Sequence, residues 1–232
     1  MQLYESESLD LSILMPCRNE ASTVGVCIEE AKEFLQKNHI QGEILVIDND
    51  SMDHSAQKAR EHGARVITEK KKGYGIAIRT GIAASRGRVL IIGDCDTTYD
   101  FLHLEVMYDL LEKGKYDMVI GNRYAGGMEP GSMSLLHRLG VRLLSFLGRI
   151  RFHTKVYDFH CGLRGLTREA ASKLVLSTEG MEFATEMIAK GVDHQLCIGE
   201  VPVILRNCTF VRESKLRTIR DGLRHLGYIL IG

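Results

Sequence analysis

The fold of this chain is decided by residues 89–96, which read Val89-Leu90-Ile91-Ile92-Gly93-Asp94-Cys95-Asp96. A short run of mostly β-branched residues predicts a buried strand of an α/β sheet. Open α/β sheets bind their ligands at the carboxyl ends of the strands, so Asp94 and Asp96 fall at the binding edge. Two carboxylates one residue apart repel each other unless a cation lies between them. The pattern therefore predicts a hard divalent ion with open positions for phosphate oxygens.

The overall composition is that of an ordinary globular protein. The 232 residues are 44% hydrophobic and 26% charged, with a formal net charge of zero. Residues 1–100 hold 12 Lys and Arg against 16 Asp and Glu, and residues 101–232 hold 18 against 14. This balance does not favour a nucleic-acid binder, but it leaves room for a local anion or membrane-surface site in the second half.

The cysteines and the apolar segments predict a cytoplasmic protein. Six cysteines are spread along the chain without a CxxC pair, which argues against a zinc ribbon and against a disulfide scaffold. The first ten residues include three acids and no apolar stretch, so we do not expect a signal peptide. No run approaches the roughly 18 apolar residues of a membrane span.

Strands and helices are predicted to alternate. Apolar runs predict strands over Leu11–Pro16, Glu43–Ile47, Arg65–Thr68, Arg88–Ile92, Tyr116–Ile120 and Leu196–Leu205. Helical periodicity predicts helices over Val24–Leu35, His54–His62, Tyr74–Ser85, Phe101–Lys113, Leu135–Phe152, Arg168–Leu176 and Met181–Gly191. Such alternation implies crossover connections and a mostly parallel sheet flanked by helices, which is the α/β class.

Two further polar clusters follow predicted strands at the same edge. Cys17–Glu20 follows the first strand and Asp48–Asp53 follows the second. A carboxylate at Asp48 suits a nucleoside base or ribose, although Ser51 or Asp53 could equally be capping the next helix. Three polar clusters on one edge together predict a crevice.

A basic turn over Lys70–Gly75 precedes a helix. A helix N-terminus with nearby lysines suits a pyrophosphate, and a solvated basic turn is the alternative. The segment has neither the GxGxxG spacing of a dinucleotide fold nor the Walker lysine, so neither a dehydrogenase nor an ATPase is supported.

The second half supplies candidate phosphate ligands. Arg123 follows a strand, where its guanidinium could fork onto a phosphate in the crevice. Residues 135–155 carry Arg138, four more basic residues and no acid. This pattern suits either anionic lipid headgroups or a core-packed helix whose arginines reach water. In the segment Asp158–Arg164, His160 is expected to be structural or a binding contact.

Taken together, the chain resembles the family-2 glycosyltransferases of the GT-A fold, most closely their polyprenyl-phosphate, dolichol-phosphate mannose synthase-like branch. The likeness runs from about Leu11 to Leu216. Its landmarks are Met15–Glu20, Ile47–Ser51, Lys72–Gly75, Gly93–Asp96, Gly121–Tyr124, Asp158–Arg164, Glu200–Val203 and Glu213–Leu216.

The resemblance implies a single domain over 1–232, with about 1–120 holding the nucleotide sugar and about 121–232 facing the acceptor. It implies donor contacts from Pro16, Asn19, Glu20, Asp48, Asp50, Lys72, Gly73, Asp94 and Cys95. It implies Mg²⁺ or Mn²⁺ on Asp94 and Asp96. It implies acceptor-phosphate contacts from Arg123, Arg138, Arg212 and Lys215.

The implied reaction is an inverting, metal-dependent transfer from a UDP- or GDP-linked sugar to a polyprenyl phosphate. The phosphate oxygen is already anionic, so it needs positioning more than a general base. Asp94, Asp96, Arg123 and Asp158 are the candidate catalytic residues. Asp158 is the candidate base for the alternative, a soluble transferase acting on a hydroxyl. A nucleotide-sugar-binding module without catalysis is the third possibility. We expect the protein to lie in the cytoplasm, peripherally at the cytoplasmic face of the membrane if the acceptor is a lipid.

Overall fold

A computed structural model of the protein describes residues 9–208, 210 and 218–232. The strands in these residues are β1 Leu11–Cys17, β2 Gly42–Asp48, β3 Arg65–Thr68, β4 Val89–Ile92, β5 Met118–Asn122, β6 Gly127–Met128, β7 Arg164–Thr167 and β8 Ile198–Leu205. The helices are α1 Val24–Lys37, α2 Ser55–Glu61, α3 Tyr74–Ala84, α4 Glu105–Glu112, α5 Arg123–Gly126, α6 Leu135–Phe152, α7 Arg168–Lys173, α8 Phe183–Asp193 and α9 Thr218–Ile231.

The described strands form one eight-stranded sheet in the order β3-β2-β1-β4-β7-β5-β8-β6. β1 is parallel to both β2 and β4, with Ile13 beside Ile44 and Ile91. β5 and β6 are parallel to β8. Among the strands described, β7 alone runs antiparallel, against β4 on one side and β5 on the other. The predicted α/β class with a mostly parallel sheet is confirmed.

The core lies on both faces of β1, β2 and β4. Every residue of β4 is buried, as a continuous apolar run in a covered parallel sheet requires. α1 packs through an apolar stripe at helical spacing, with Val24, Cys27, Ile28, Ala31 and Phe34 all buried. This packing fixes the carboxyl ends of the three strands relative to one another, and those ends carry the predicted site.

Element boundaries agree best where the hydrophobic pattern is strongest. The helix predicted over Leu135–Phe152 has those bounds in the structure. The helix predicted from Phe101 begins only at Glu105, because the Asp100 carboxylate accepts hydrogen bonds from the backbone of Leu102 and the His103 ring and holds a turn there.

The elements that the sequence does not predict are α5, β6, β7 and α9. β7 reads Arg-Gly-Leu-Thr, so it lacks the apolar run by which strands are recognised. It lies between β4 and β5 and pairs with both of them. Among the residues described, no helix is long and apolar enough to span a bilayer.

Candidate active site

The polar clusters that follow β1, β2 and β4 meet at one edge of the sheet. The backbone N–H of Asn49 donates to the Cys17 carbonyl at 2.8 Å, which joins the first two clusters. The Thr23 hydroxyl donates to the Cys95 carbonyl at 2.8 Å, which joins the first and third. These two hydrogen bonds join neighbouring strand ends at the edge of the sheet where the sequence predicts the crevice.

Asp94 and Asp96 are held by different neighbours. The Thr98 N–H donates to Asp96 Oδ1 at 3.0 Å, and the Thr98 hydroxyl donates to the same atom. The Tyr74 hydroxyl donates to Asp94, and burial followed by the Asp94 charge raises the pKa of Tyr74 well above its usual value. A Cβ at Gly162 would overlap Asp94 Oδ2, so a side chain there would displace the Asp94 carboxylate.

These two carboxylates supply oxygen ligands of the kind that Mg²⁺ and Mn²⁺ prefer. In the described part of the chain, no group of three or more His, Cys, Asp or Glu side chains converges as a metal cage. Two carboxylates without such a cage fit an ion that takes its remaining ligands from substrate phosphates and water.

Asp48 is a buried acceptor at the end of β2. Its side chain is 5% exposed, and its Oδ1 atom has no hydrogen-bond partner among the residues described. A buried acceptor without a partner costs free energy unless something supplies an N–H or O–H group. A nucleoside can supply one, so the structure leaves Asp48 suited to the donor contact predicted for it.

The 16–20 loop and the 48–55 loop are pinned to each other. The Asn19 N–H donates to Ser51 Oγ at 3.0 Å, and Asn19 Oδ1 accepts from the Met52 N–H at 2.8 Å. The Glu20 N–H donates to Ser55 Oγ at 2.8 Å. Asn19 and Glu20 therefore hold the two loops together at the edge where the crevice is predicted, and their contacts with a ligand stay predictions.

Asn49 has a structural role that sequence reasoning missed. Its amide group donates to the carbonyls of Glu69 and Lys71 at 3.1 and 2.8 Å, and its oxygen accepts from the Gly73 N–H at 2.8 Å. Asn49 thus ties the basic turn to the end of β2. The amide can donate and accept at once, which an ionised aspartate cannot. Lys72 lies 3.0 Å from Asp50, and both side chains are exposed at the crevice rim.

Arg123 and Asp158 are paired with each other, which differs from the expectation that Arg123 extends into the crevice. Arg123 Nε and Nη2 each donate to Asp158 at 2.7 Å, and the Arg123 backbone N–H adds a third bond at 3.1 Å. Both side chains are buried. A carboxylate held by this fork is poorly placed to accept a proton from a substrate hydroxyl. The phosphate contact of Arg123 stays a prediction.

Glu200 is a site residue that the sequence did not single out for a role. It accepts the Asp158 backbone N–H at 2.9 Å, and burial raises the pKa of its carboxyl. The sequence feature that could have revealed this role is the Glu-Val-Pro-Val segment of β8. Side chains alternate between the two faces of a strand, and Glu200 lies on the face toward the 158–164 segment.

Arg164 is a buried residue that holds the 158–164 segment by hydrogen bonds to its backbone. It is 2% exposed, and it donates to the carbonyls of Cys161 and Ala184 at 2.7 Å each and to the Phe159 carbonyl. Burial lowers the pKa of Arg164. Its role here is to hold the backbone that crosses Asp94.

His160 has the contacts of a structural residue. Its Nδ1 lies 3.3 Å from Ser145 Oγ on α6, and its ring meets the His225 ring of α9 edge-on at 4.3 Å. His225 Nδ1 in turn lies 2.8 Å from Thr185 Oγ1 on α8. Burial lowers the pKa of both rings, that of His225 to about 4. This histidine cluster joins three helices and the 158–164 segment.

The helix α6 packs through one face and exposes another. Its buried residues are Val141, Ser145, Gly148 and Phe152. The exposed apolar residues, the α6 stripe, are Leu135, Leu136, Leu139, Leu143, Phe146 and Ile150. Arg138 is exposed beside them, and the Tyr124 hydroxyl donates to its backbone carbonyl at 3.2 Å. Arg212 and Lys215 lie outside the described residues, so their predicted contacts stay predictions.

Comparison with known proteins identifies the class. The sequence profile described as "Glycosyl transferase family 2" matches residues 12–175, and the chain belongs to that family. The family that the resemblance predicts is therefore confirmed.

Curated relatives are similar over nearly the whole chain. The chain is 36% identical to the "low-salt glycan biosynthesis hexosyltransferase Agl6" of Haloferax volcanii over 95% of its own length, but it spans only 53% of that protein. It is 31% identical to the "dolichyl-phosphate hexose transferase" of the same organism, covering 92% of this chain and 89% of that one. It is 30% identical to human "dolichyl-phosphate beta-glucosyltransferase", covering 92% and 72%.

Solved structures confirm the predicted GT-A fold. Glucosyl-3-phosphoglycerate synthase from Mycobacterium tuberculosis, in complex with phosphoglyceric acid, superposes with a TM-score of 0.78 at 20% identity, covering 96% of this chain and 79% of that one. The same enzyme in complex with Mn²⁺, UDP and glucosyl-3-phosphoglycerate gives 0.76 at 20% identity, covering 95% and 80%.

Proposed function

We propose that this chain is an inverting, metal-dependent transferase that moves a sugar from a nucleoside-diphosphate donor to a polyprenyl phosphate. The observation that carries the proposal is the edge of the sheet where Asp94 and Asp96 follow β4 and the buried Asp48 acceptor ends β2, with β1 between the two strands. Relatives that cover most of this chain and are named for transfer to dolichyl phosphate support the acceptor class.

The donor would lie across the ends of β1, β2 and β4. Asp48 would accept a hydrogen bond from the base or ribose, and the loop from Pro16 to Glu20 would form the neighbouring wall. Lys72 and Gly73 at the start of α3 would face the diphosphate, where a helix N-terminus and a lysine favour anions. We favour uridine as the base, because the structural neighbour in the same fold was crystallised with UDP.

Asp94 and Asp96 would hold Mg²⁺ or Mn²⁺. When bound, such an ion neutralises charge on the departing diphosphate. Thr98 keeps Asp96 in one orientation and Tyr74 hydrogen-bonds Asp94, so the two carboxylates keep their positions when substrates exchange.

The phosphate acceptor agrees better with the site than a hydroxyl does. A hydroxyl requires a base, and the candidate Asp158 is occupied by three hydrogen bonds from Arg123. A phosphate oxygen needs only to be held against its repulsion from the donor. The side-chain hydrogen bonds to Asp158 use two of the five guanidinium N–H donors of Arg123. A phosphate could therefore bind the same guanidinium as the Asp158 carboxylate.

A lipid acceptor also explains the α6 stripe. Its leucines, phenylalanine and isoleucine are exposed along the whole helix, and residues 135–155 contain basic residues but no acid. An apolar face flanked by arginines suits the surface of a bilayer with anionic lipids. We propose that α6 lies on the cytoplasmic face of a membrane and brings the site to the lipid phosphate.

Nucleotide binding can be tested separately from transfer. Thermal unfolding with Mn²⁺ should shift upward with UDP, GDP, CDP or dTDP according to concentration over affinity. Asp48→Asn should lose most of the shift, while Asp109→Asn on the exposed side of α4 should keep it. The donor assignment is wrong if no nucleotide shifts the melting temperature.

The acceptor is tested by transfer from radiolabelled nucleotide sugars to short-chain polyprenyl phosphate, with the matching polyprenol as control. We expect metal-dependent product on the phosphate and none on the alcohol. Product on the alcohol alone would replace the proposal with the hydroxyl acceptor. Nucleotide binding without hydrolysis or transfer would leave a nucleotide-sugar-binding module.

A further inference from the structure

Arg206, directly after β8, bridges two carboxylates from distant parts of the chain. Its Nη1 lies 2.7 Å from Glu30 of α1, and its Nη2 lies 2.5 Å from Asp100, which follows the Asp94–Asp96 segment. All three side chains are more than two-thirds shielded from solvent. The sequence gives no sign of this cluster, because its members come from three separate regions.

The backbone of Arg206 is linked to Asp96 through one residue, Thr98. Its N–H donates to the Thr98 carbonyl at 2.9 Å. Thr98 in turn donates its own N–H and hydroxyl to Asp96 Oδ1. Arg206 therefore fixes the peptide that orients Asp96.

The guanidinium secures the turn that follows. Asp100 accepts the Leu102 N–H at 2.9 Å, and the second oxygen of Glu30 accepts the Phe101 N–H at 3.1 Å. Without a cation between them, Glu30 and Asp100 would face each other as like charges. Thr97 has φ +65°, a conformation that a β-branched residue keeps only when its surroundings hold it.

We propose that Arg206 is a positioning residue for Asp96, and that its ion-pair cluster with Glu30 and Asp100 sets the metal affinity of the site. This inference rests on the proposed role of Asp96 as a metal ligand. Arg206 acts through Thr98 and the 97–101 turn. Loss of a group that hydrogen-bonds a metal ligand, as Thr98 does with Asp96, commonly weakens metal binding about tenfold or more, and Arg206 holds that group in place.

The test is Mn²⁺ binding in the presence of UDP, followed by the electron paramagnetic resonance signal of free Mn²⁺. Arg206→Gln should weaken Mn²⁺ binding about tenfold, the scale expected for a lost outer-shell partner. Arg206→Lys, which keeps the charge, should recover part of the affinity. At saturating Mn²⁺ the turnover number should fall much less than the affinity does. Arg88→Gln, which removes the exposed pair with Asp10, is the matched control and should bind Mn²⁺ as wild type does.

Two further variants keep the outcome decisive. Thr98→Val removes the hydroxyl bond to Asp96 and should weaken Mn²⁺ binding in the same direction, even if Arg206→Gln proves too unstable to measure. Unchanged Mn²⁺ affinity in folded Arg206→Gln, or in Thr98→Val when Arg206→Gln does not fold, overturns the inference. If Asp96→Asn also leaves Mn²⁺ affinity unchanged, the metal assignment itself has failed.

Discussion

At the scale of single residues, Asp94 and Asp96 are fixed before any ion arrives. Thr98 orients Asp96 by hydrogen bonds. Tyr74 hydrogen-bonds Asp94, and Gly162 packs closely against it. If these carboxylates hold the proposed metal, its binding would need little rearrangement of their side chains.

Asp94→Asn or Asp96→Asn should therefore lower metal-dependent turnover by about a thousandfold or more, while the fold stays intact. Turnover against Mn²⁺ concentration measures the first effect, and thermal unfolding checks the second. Asp109→Asn, in an exposed pair with Lys113, should change neither. Wild-type turnover that persists in excess EDTA would contradict the metal assignment.

The Arg123–Asp158 pair predicts a stability effect that is independent of catalysis. Removing one partner leaves the other charge buried, so Arg123→Ala and Asp158→Ala should each lower the free energy of unfolding by about 3–5 kcal/mol. The double variant should lose less than the sum of the two. Urea unfolding measures all three, and removal of the exposed Arg88–Asp10 pair should cost less than about 1 kcal/mol. Near-neutral single variants would show that the pair is not formed in solution.

At the scale of elements, α6 has one face packed on the core and one apolar face exposed. Its small residues Ser145 and Gly148 face the core, and a Cβ at Gly148 would overlap the ring of Phe159. The opposite face has no cover among the residues described, although leucine and phenylalanine side chains there would gain from leaving water.

Leu139→Ser with Leu143→Ser should weaken association with vesicles that contain anionic lipid by at least about tenfold, because two apolar side chains no longer enter the bilayer. Arg138→Gln with Arg142→Gln should weaken it too, and raised salt should reduce wild-type binding by screening. Vesicle flotation measures each. Val106→Ser, an exposed apolar residue on α4, should have no effect. Equal binding by all the variants would remove α6 from the membrane proposal.

At the scale of the whole molecule, the histidine cluster makes stability depend on pH. Burial holds His225 neutral, with its pKa lowered from 6.5 to about 4, and Arg164 and Arg224 add to the shift. The ring of His160 faces it, with Arg123, Arg164 and His137 nearby. Below about pH 6.5 His225 is protonated in the unfolded chain, but in the folded chain it stays neutral down to about pH 4. The free energy of unfolding therefore falls as the pH falls from about 6.5 to about 4.

From pH 7 to about pH 5, His225 alone should reduce the free energy of unfolding by about 2 kcal/mol. Carboxylates titrate in the same range, so the quantity to measure is the difference between wild type and His225→Gln in urea unfolding at both pH values. The variant should lose less stability than wild type on acidification. Equal losses would mean that His225 is accessible to protons in the folded protein.

The sequence predicts what depends on local pattern and misses what depends on distant partners. The three strand-end clusters and the bounds of α6 follow from hydrophobic periodicity. The Arg123–Asp158 pair joins residues 35 apart and the Arg206–Glu30 pair residues 176 apart, and no periodicity encodes such pairs. Asn49 shows the same limit, since its three hydrogen bonds depend on where the 69–73 turn returns to β2.

The place of β7 in the sheet has a consequence for synthesis on the ribosome. β4 is complete when Ile92 emerges, but its outer edge pairs with Arg164–Thr167, and β5 joins the sheet only through that strand. At about 5–20 residues per second, the nascent chain carries an open strand edge for several seconds. An open apolar edge can recruit strands from other chains. We therefore expect the nascent chain to be exposed to aggregation at the β4 edge while residues 93–163 are made.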